Sequence, residues 1–190
     1  MNWKQKIKRY IPLLPFLKTQ QYKVLEILRP HWTFPNIDSP YQFRQANYEQ
    51  DFQEITALFP LSFVSYFCTT DKEKILFLQK RFDTNVPCFI VRNDNEFIGF
   101  LWIAPTSDTY WVTNLFVSGQ FRGRKIAQQL LSFAVSKIFE SLPIDSIKSL
   151  ILNDNIASLN THLHTGFTII GDKTTQRIGS ISLEKYRSLK

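Results

Sequence analysis

Residues 115–127, LFVSGQFRGRKIA, decide the fold because a change of periodicity occurs within them. Residues 109–117 are rich in β-branched and aromatic side chains, which predicts a strand that ends at Val117. After the loop, apolar residues recur with the period of an amphipathic helix about four turns long. That apolar stripe consists of Ala127, Leu130, Leu131, Ala134, Val135, Ile138 and Phe139. A loop containing glycine and arginine therefore connects a strand to a helix N-terminus.

The start of this helix is a candidate anion site. A helix N-terminus has unpaired backbone N–H groups and carries about half a positive charge, which suits a phosphate. Arg122, Arg124 and Lys125 add positive side chains there. The pattern predicts a phosphorylated ligand, although neither the P-loop pattern nor G-x-G-x-x-G occurs. The alternative is a basic patch that is simply solvated.

On the N-terminal side of this stretch, the pattern predicts helices followed by an antiparallel meander. Residues 42–46 are typical of a short strand, and residues 48–59 and 71–82 of two helices. Residues 88–91 and 97–103 are β-rich and flank the turn formers at 93–96, which predicts a hairpin. The strand at 109–117 then continues the meander.

On the C-terminal side, the pattern predicts a strand at 147–152, a helix at 156–165 and a strand at 167–170. A strand–helix–strand crossover beside a meander indicates an α/β fold. Its central sheet is predicted to be mixed, mainly antiparallel and flanked by helices.

Two segments resemble the signatures of the GNAT N-acetyltransferase superfamily. Residues 122–127 are similar to its cofactor motif, [QR]-x-x-G-x-[GA], with Arg122 in the first position and Ala127 in the last. The second signature is an asparagine with a small residue three positions on, Tyr or His seven on and Gly-Phe at eleven and twelve. Asn155, Ser158, His162, Gly166 and Phe167 are in register with it. The resemblance extends over about residues 41–190.

The resemblance implies a GNAT-like fold and transfer of an acetyl group from acetyl-CoA to a primary amine of an unidentified acceptor, without a covalent enzyme intermediate. The co-substrate is acetyl-CoA, and no metal is implied. The residues implied to bind it are Leu115, Phe116, Val117, Arg122, Gly123, Arg124, Lys125, Ile126, Ala127, Asn155 and Ser158. Backbone near Phe116 and Val117 is implied to pair with the pantetheine arm and to donate an N–H to the thioester carbonyl.

Lys125 departs from the motif, which has glycine at that position. Glycine lets backbone approach pyrophosphate without a Cβ in the way. If residue 125 is right-handed helical, lysine costs little and its ammonium can help to hold phosphate; if it has a positive φ, lysine is strained. We expect the first, because the helical pattern begins about there.

His162 is the candidate catalytic residue, since it occupies the position where the family usually has a tyrosine acid. An imidazole can donate a proton to the leaving thiolate. A structural role is the alternative for His162, as helix capping is for Asn155. No carboxylate stands out as general base, and the acceptor is expected between residues 71–82 and the meander.

The composition excludes several classes of protein. The 190 residues are 44% apolar and 21% charged, which excludes global disorder. The longest apolar run, residues 97–105, is too short for a transmembrane segment. Two cysteines and three histidines predict neither a disulfide framework nor a metal centre, and a reducing, cytoplasmic location fits them best.

Residues 1–39 are predicted to be a basic N-terminal extension and linker, separate from an N-acetyltransferase domain at 40–190. They carry a net charge of +5, whereas the remainder carries +2. Prolines at 30, 35 and 40 indicate the linker, so a chain beginning near Pro40 is expected to bind acetyl-CoA. One apolar helical face is predicted in the extension, formed by Trp3, Ile7, Tyr10, Ile11 and Leu14.

That face has three candidate partners: its own domain or a second copy of the chain in a homodimer, an anionic membrane surface, and nucleic acid. Two rival functions follow from the sequence. One is a non-catalytic acyl-CoA sensor, and the other is a nucleic-acid-binding module that acts through residues 1–39.

Overall fold

Eight strands and four α-helices make up the part of the chain described by the computed structural model, which is residues 17–33, 35, 38–60, 70–107, 109–178 and 181–182. The strands are β1 (Leu17–Leu28), β2 (Gln42–Gln45), β3 (Cys88–Asn93), β4 (Glu96–Pro105), β5 (Tyr110–Val117), β6 (Ser146–Leu152), β7 (Thr168–Ile178) and β8 (Ile181–Ser182). The helices are α1 (Tyr48–Leu58), α2 (Asp71–Asp83), α3 (Ile126–Ser141) and α4 (Ile156–His164).

The strands form one sheet in the order β2-β3-β4-β5-β6-β1-β7-β8. Strands β5 and β6 are parallel, and the other neighbouring pairs are antiparallel. This arrangement confirms the predicted mixed, mainly antiparallel sheet flanked by helices. The predicted hairpin is present, with Asn93 opposite Glu96 across Asp94 and Asn95. Asp94 has a φ of 50°, a conformation that aspartate tolerates better than most residues.

Helices cover both faces of the sheet. The apolar stripe of α3, with Leu130, Leu131 and Ala134 fully buried, packs on one face in a cluster with Leu101 and Ile103. On the other face, Ile55 of α1 and Leu78 of α2 are buried in a second cluster that contains residues 88, 90, 97, 100 and 102. The sheet is thus the middle of three layers, as burial of two apolar sheet faces requires.

Strand β1 corrects the predicted domain boundary. It lies between β6 and β7 and pairs with both, and its Leu25 and Ile27 are 0% and 3% exposed. Residues 17–28 are therefore a strand of the sheet and not part of a separable extension. The β pattern was hidden because the register shifts between Val24 and Leu25, which breaks the alternation of apolar and polar residues.

The amphipathic helix predicted for residues 3–14 lies outside the described residues. The prolines at 30, 35 and 40 follow β1, so they mark the connection from β1 to β2. Among the described helices, none has the length and apolar character needed to cross a membrane.

Candidate functional site

The parallel strands β5 and β6 separate soon after they begin. Residues 110–112 pair with residues 147–149, whereas residues 113–117 of β5 leave β6. Within the described strands, the edge of β5 that faces β6 is therefore unpaired over its second half. Unpaired strand edges present backbone N–H and C=O groups to any ligand that lies along them.

A bulge lies at the point of separation. Trp102 of β4 opposes Asn114 of β5, and Ile103 opposes Val112, so Thr113 is an extra residue without an opposite partner on β4. A bulge bends its strand and increases the local twist. The bend at Thr113 accounts for the wedge-shaped opening between β5 and β6.

The second half of β5 directs alternate peptide groups into this wedge. Ser118 N–H donates to the Ile98 carbonyl of β4 at 2.9 Å. In an antiparallel pair, peptide groups alternate between the two edges of a strand, so Val117 and Leu115 direct theirs away from β4. The Val117 carbonyl accepts a hydrogen bond from Arg122 Nε at 3.1 Å, which agrees with this direction.

Helix α3 begins at the mouth of the wedge. Within the described part of the chain, no side chain caps its N-terminus, and its first turn contains no acidic residue. The first backbone hydrogen bond into the helix runs from Gln129 N–H to the Lys125 carbonyl. The N–H groups of residues 126–128 have no intrahelical partner and, together with the helix dipole, favour an anion. This geometry fits a phosphate.

Lys125 adopts the conformation that we did not expect. It is the N-cap of α3, with a φ of 60° and a ψ of 12°, which is the left-handed region. The helical period begins at Ile126, one residue later than the pattern indicated. A lysine in this region is strained by roughly 1–2 kcal/mol, which the motif's glycine would avoid. Gly123, with a φ of 79°, is left-handed too.

A cleft of about 650 Å³ occupies the wedge. It is lined by ten of the eleven residues predicted to bind acetyl-CoA: Leu115, Phe116, Val117, Arg122, Gly123, Lys125, Ile126, Ala127, Asn155 and Ser158. The fold thus brings together the two predicted segments, which are about thirty residues apart in sequence. The exception is Arg124, whose guanidinium lies over the Phe121 ring at 5.5 Å.

Asn155 is the N-cap of α4 as well as part of the cleft. Its Oδ1 accepts a hydrogen bond from Ser158 N–H at 3.2 Å. This is the capping role that the sequence analysis gave as an alternative. The Asn155 side chain thereby fixes the start of α4 against the cleft.

His162 lies on α4 but does not line the cleft. The side chain is 1% exposed, and its ring packs edge-on against Phe167. Nδ1 is 2.9 Å from the Ser158 carbonyl, and Nε2 is 3.1 Å from Ser149 Oγ. Because a carbonyl can only accept, Nδ1 carries the proton and Nε2 accepts from the Ser149 hydroxyl.

The protonation of His162 follows from these contacts. Burial lowers its pKa from 6.5 to about 4, and the hydrogen bond to Ser158 only partly opposes this. The imidazole is therefore neutral at neutral pH, with both nitrogens already bonded. These contacts favour the structural alternative for His162 over the catalytic one, which stays a prediction.

Several residues of the cleft were not predicted: Pro60, Phe121, Gln128, Ala157 and Thr161. Thr161 could have been found by helical spacing, because it lies three residues after Ser158 on α4. Pro60 follows α1 and approaches the cleft through the tertiary fold, for which the sequence carries no local signal.

The described residues that line the cleft include no aspartate, glutamate or histidine. Cys88, the free cysteine within the described residues, is 2% exposed on the opposite face of the sheet, where burial raises the pKa of its thiol. In the part of the chain that the structure describes, no group of three or more metal-ligating side chains occurs.

Solved structures share this fold at low sequence identity. A GCN5-related N-acetyltransferase from Sphaerobacter thermophilus matches with a TM-score of 0.65 and 13% identity, covering 91% of this chain and 56% of that one. AAC(6')-Iy, in complex with a bisubstrate analog, CoA-S-monomethyl-acetylneamine, matches with a TM-score of 0.57 and 19% identity, covering 70% and 94%.

A predicted acetyltransferase from Clostridium acetobutylicum, solved with acetyl-CoA, matches with a TM-score of 0.54 and 18% identity, covering 67% of this chain and 90% of that one. This chain spans little more than half the length of some structural relatives, namely 57% of a Drosophila protein and 56% of the Sphaerobacter protein. No curated protein matches the sequence significantly.

The family profile described as the Acetyltransferase (GNAT) family matches residues 24–167, which begin within β1 and end at Phe167. The match contains the wedge, the N-terminus of α3 and all of α4. With the shared fold, it means that this chain belongs to the GNAT acetyltransferase family.

Proposed function

We propose that this protein transfers an acetyl group from acetyl-CoA directly to a primary amine. The observation that carries the proposal is the wedge, in which an unpaired strand edge leads to an uncapped helix N-terminus with Arg122 and Lys125 beside it. A long ligand with a polar, amide-containing arm and a pyrophosphate matches both features.

The N-terminus of α3 would hold the pyrophosphate. The N–H groups of residues 126–128 donate along the helix axis, and Arg122 and Lys125 add positive charge. Arg122 is anchored through Nε to the Val117 carbonyl, which leaves its terminal nitrogens for phosphate. The unpaired edge of β5 would bind the amide groups of the pantetheine arm, as an added strand binds a sheet.

Acetyl-CoA supplies an acetyl thioester. The amine nitrogen forms a bond to the acetyl carbon as the carbon–sulfur bond breaks, and the proton lost by the amine ends on the CoA thiol or on water. The backbone N–H groups of Leu115 and Val117 face the wedge and can donate to the thioester oxygen as negative charge develops on it. Ser158 of α4 also lines the cleft, and its hydroxyl would be available to donate to the leaving thiolate.

Direct attack agrees with the positions of the described nucleophiles. A covalent acyl-enzyme on cysteine requires an accessible thiolate. Cys88 is buried in the aromatic cluster on the far face of the sheet and its thiol is held protonated. The described cleft residues include no aspartate, glutamate or histidine, and we infer that the amine loses its proton to water before it attacks.

A second candidate function is an acyl-CoA sensor without turnover. The strained Lys125 and the lack of aspartate, glutamate and histidine among the described cleft residues favour it. Both candidates predict acetyl-CoA binding, and the first alone predicts an acetylated product.

The experiment that separates them is incubation of the protein with acetyl-CoA and a panel of primary amines. Release of CoA thiol is measured together with the mass of the amine product. Amine-dependent thiol release with an N-acetylated product supports the transferase, while tight acetyl-CoA binding without product supports the sensor.

A further inference from the structure

Arg81, near the end of α2, lies against the bulge of β5 on the face opposite α3. Its guanidinium carbon is 4.9 Å from the centre of the Phe77 ring and 5.2 Å from the Trp102 ring. Its Nη1 donates to Thr113 Oγ1 at 3.2 Å and to Asn114 Oδ1 at 3.1 Å. Ring packing and hydrogen bonds together therefore hold the Arg81 guanidinium in place.

This arginine has no acidic partner among the described residues. Arg44 and Arg92, by contrast, pair with Asp51 and Glu54 at 2.7 and 2.5 Å. Burial lowers the pKa of Arg81 to about 10. Arg81 is half-buried, so an anion can reach a guanidinium that has no counter-ion among the described residues.

Hydrogen-bond donors exceed acceptors around Arg81. In the part of the chain that the structure describes, its Nε and Nη2 make no hydrogen bond, because both of its bonds use Nη1. The Thr113 hydroxyl is already directed at the Trp102 carbonyl. Trp102 Nε1 is a buried donor that has no hydrogen-bond partner among the described residues. A ligand that complements this site is rich in acceptors and negatively charged.

The site adjoins the place where acetyl transfer would occur. Thr113 and Asn114 are the residues at which β5 leaves β6. Phe116, which lines the cleft, is two residues beyond Asn114 on the same side of β5, a distance of about 7 Å along a strand. Arg81 approaches from α2, the side on which the sequence analysis places the acceptor.

We propose that the acceptor is an amine that also carries a carboxylate, and that Arg81 binds this carboxylate through Nε and Nη2. This inference rests on the proposed function, since it names the class of acceptor. A guanidinium donates two parallel hydrogen bonds to a carboxylate. This bidentate contact would fix the orientation of the amine at the wedge. The carboxylate would also supply the counter-ion that Arg81 lacks.

The experiment compares glycine and the L-amino acids other than proline with the corresponding amides, each pair differing in the α-carboxylate alone. Binding is measured by titration calorimetry in the presence of CoA, and transfer by release of CoA thiol. Wild-type protein is compared with Arg81→Gln, Arg81→Lys and the control Arg92→Gln. Arg92 is matched because it too lies over an aromatic ring, 5.6 Å from the centre of Phe97, but is paired with a carboxylate.

We expect wild-type protein and Arg92→Gln to favour at least one acid over its amide by about tenfold or more, or about 1.4 kcal/mol. Arg81→Gln should reduce this ratio to near one, and Arg81→Lys should retain part of it. The ratio between variants cancels the difference in amine basicity between acid and amide. A retained preference in Arg81→Gln, or no preference for acids in wild-type protein, would overturn the inference.

The binding arm separates this inference from the proposed function. An Arg81-dependent preference for acids without product would support the carboxylate site and contradict the transferase. Product formed from acids and amides with equal efficiency would support the transferase and overturn the carboxylate site.

Discussion

Arg122 Nε donates a hydrogen bond to the backbone carbonyl of Val117 at 3.1 Å, and this bond joins the end of β5 to the loop before α3. The two structural halves of the cleft, strand edge and helix N-terminus, therefore meet at one side chain. The bond orients a guanidinium beside the N-terminus of α3, where both helix and side chain attract an anion.

Arg122→Glu should weaken CoA binding by about a hundredfold or more. The substitution removes the bond to Val117 and places a carboxylate beside the pyrophosphate, and hydrogen bonds to charged groups are among the stronger ones. Titration calorimetry with CoA measures the change.

Arg124→Glu is the matched control for that experiment, because it changes the charge equally two residues away. Arg124 packs over Phe121 and does not line the cleft, so a smaller loss is expected. Equal losses in both variants would mean that the charge of the loop, and not the bond to Val117, governs CoA binding.

Lys125→Gly should raise the free energy of unfolding by about 1 kcal/mol, since glycine adopts a φ of 60° without strain. Lys125→Ala removes the ammonium but keeps the strained backbone, so it should not stabilise the protein. Urea denaturation of the three proteins measures this, and a Gly variant no more stable than the Ala variant would contradict the strain.

The same pair of variants tests whether the Lys125 ammonium contributes to CoA binding. If it helps to hold phosphate, CoA affinity falls equally in Lys125→Gly and Lys125→Ala. Tighter binding by the Gly variant than by wild-type protein would identify Lys125 as an obstruction and favour the sensor.

The pH dependence of stability should report the buried His162. Its pKa is lowered from 6.5 to about 4 on folding, so between these values the unfolded state binds more protons than the folded state. The stability contributed by the neutral imidazole is fully present above pH 6.5 and is lost as the pH falls towards 4. The loss should reach about 3 kcal/mol relative to His162→Gln, which does not titrate.

Enzyme kinetics with His162→Gln test the catalytic alternative. A general acid is worth about 10²–10⁴-fold in rate. Because Nε2 accepts a hydrogen bond from Ser149 inside the protein, we expect the folded variant to retain kcat within about tenfold of wild type. A drop of 10²-fold or more, with an unchanged Kd for acetyl-CoA, would restore His162 as the acid.

Truncation should separate β1 from the residues that precede it. A chain beginning at Leu17 keeps β1 and should fold and bind acetyl-CoA. A chain beginning at Pro40 loses the buried Leu25 and Ile27 and the strand that joins β6 to β7, so it should not fold. Circular dichroism and thermal melting compare the two chains. A chain from Pro40 that folds cooperatively and binds CoA would support the domain boundary predicted from the sequence, between residues 39 and 40.

The sequence predicts what depends on local pattern. The amphipathic stripe of α3 and the β-rich runs around the turn at Asp94 and Asn95 are periodic signals, and the elements formed where they indicate. Asn155 and Ser158 were found by the spacing of a signature. Strand β1 was missed because its alternation breaks at the bulge after Val24, and the nearby prolines suggested a boundary.

Long-range geometry accounts for the other differences. The left-handed φ of Lys125 follows from the path of the loop between β5 and α3. The helical period in the sequence locates the start of α3 only to within about one residue, so it does not reveal this φ. The burial of His162 depends on Ser149 of β6 and on Phe167, which the fold brings around it. In the sequence, nothing distinguishes Arg81 from an ordinary exposed arginine of α2. Its candidate role is visible only in the fold, where α2 places it in hydrogen-bond contact with Thr113 and Asn114.

Thermal unfolding with and without acetyl-CoA tests the central claim, that the wedge between β5 and β6 is an acetyl-CoA site, most directly. At a hundredfold excess over Kd, binding should stabilise the folded protein by about 2.7 kcal/mol and raise its Tm, and Arg122→Glu should lose most of that shift at the same concentration. An unchanged Tm of the wild-type protein at saturating acetyl-CoA would contradict the account.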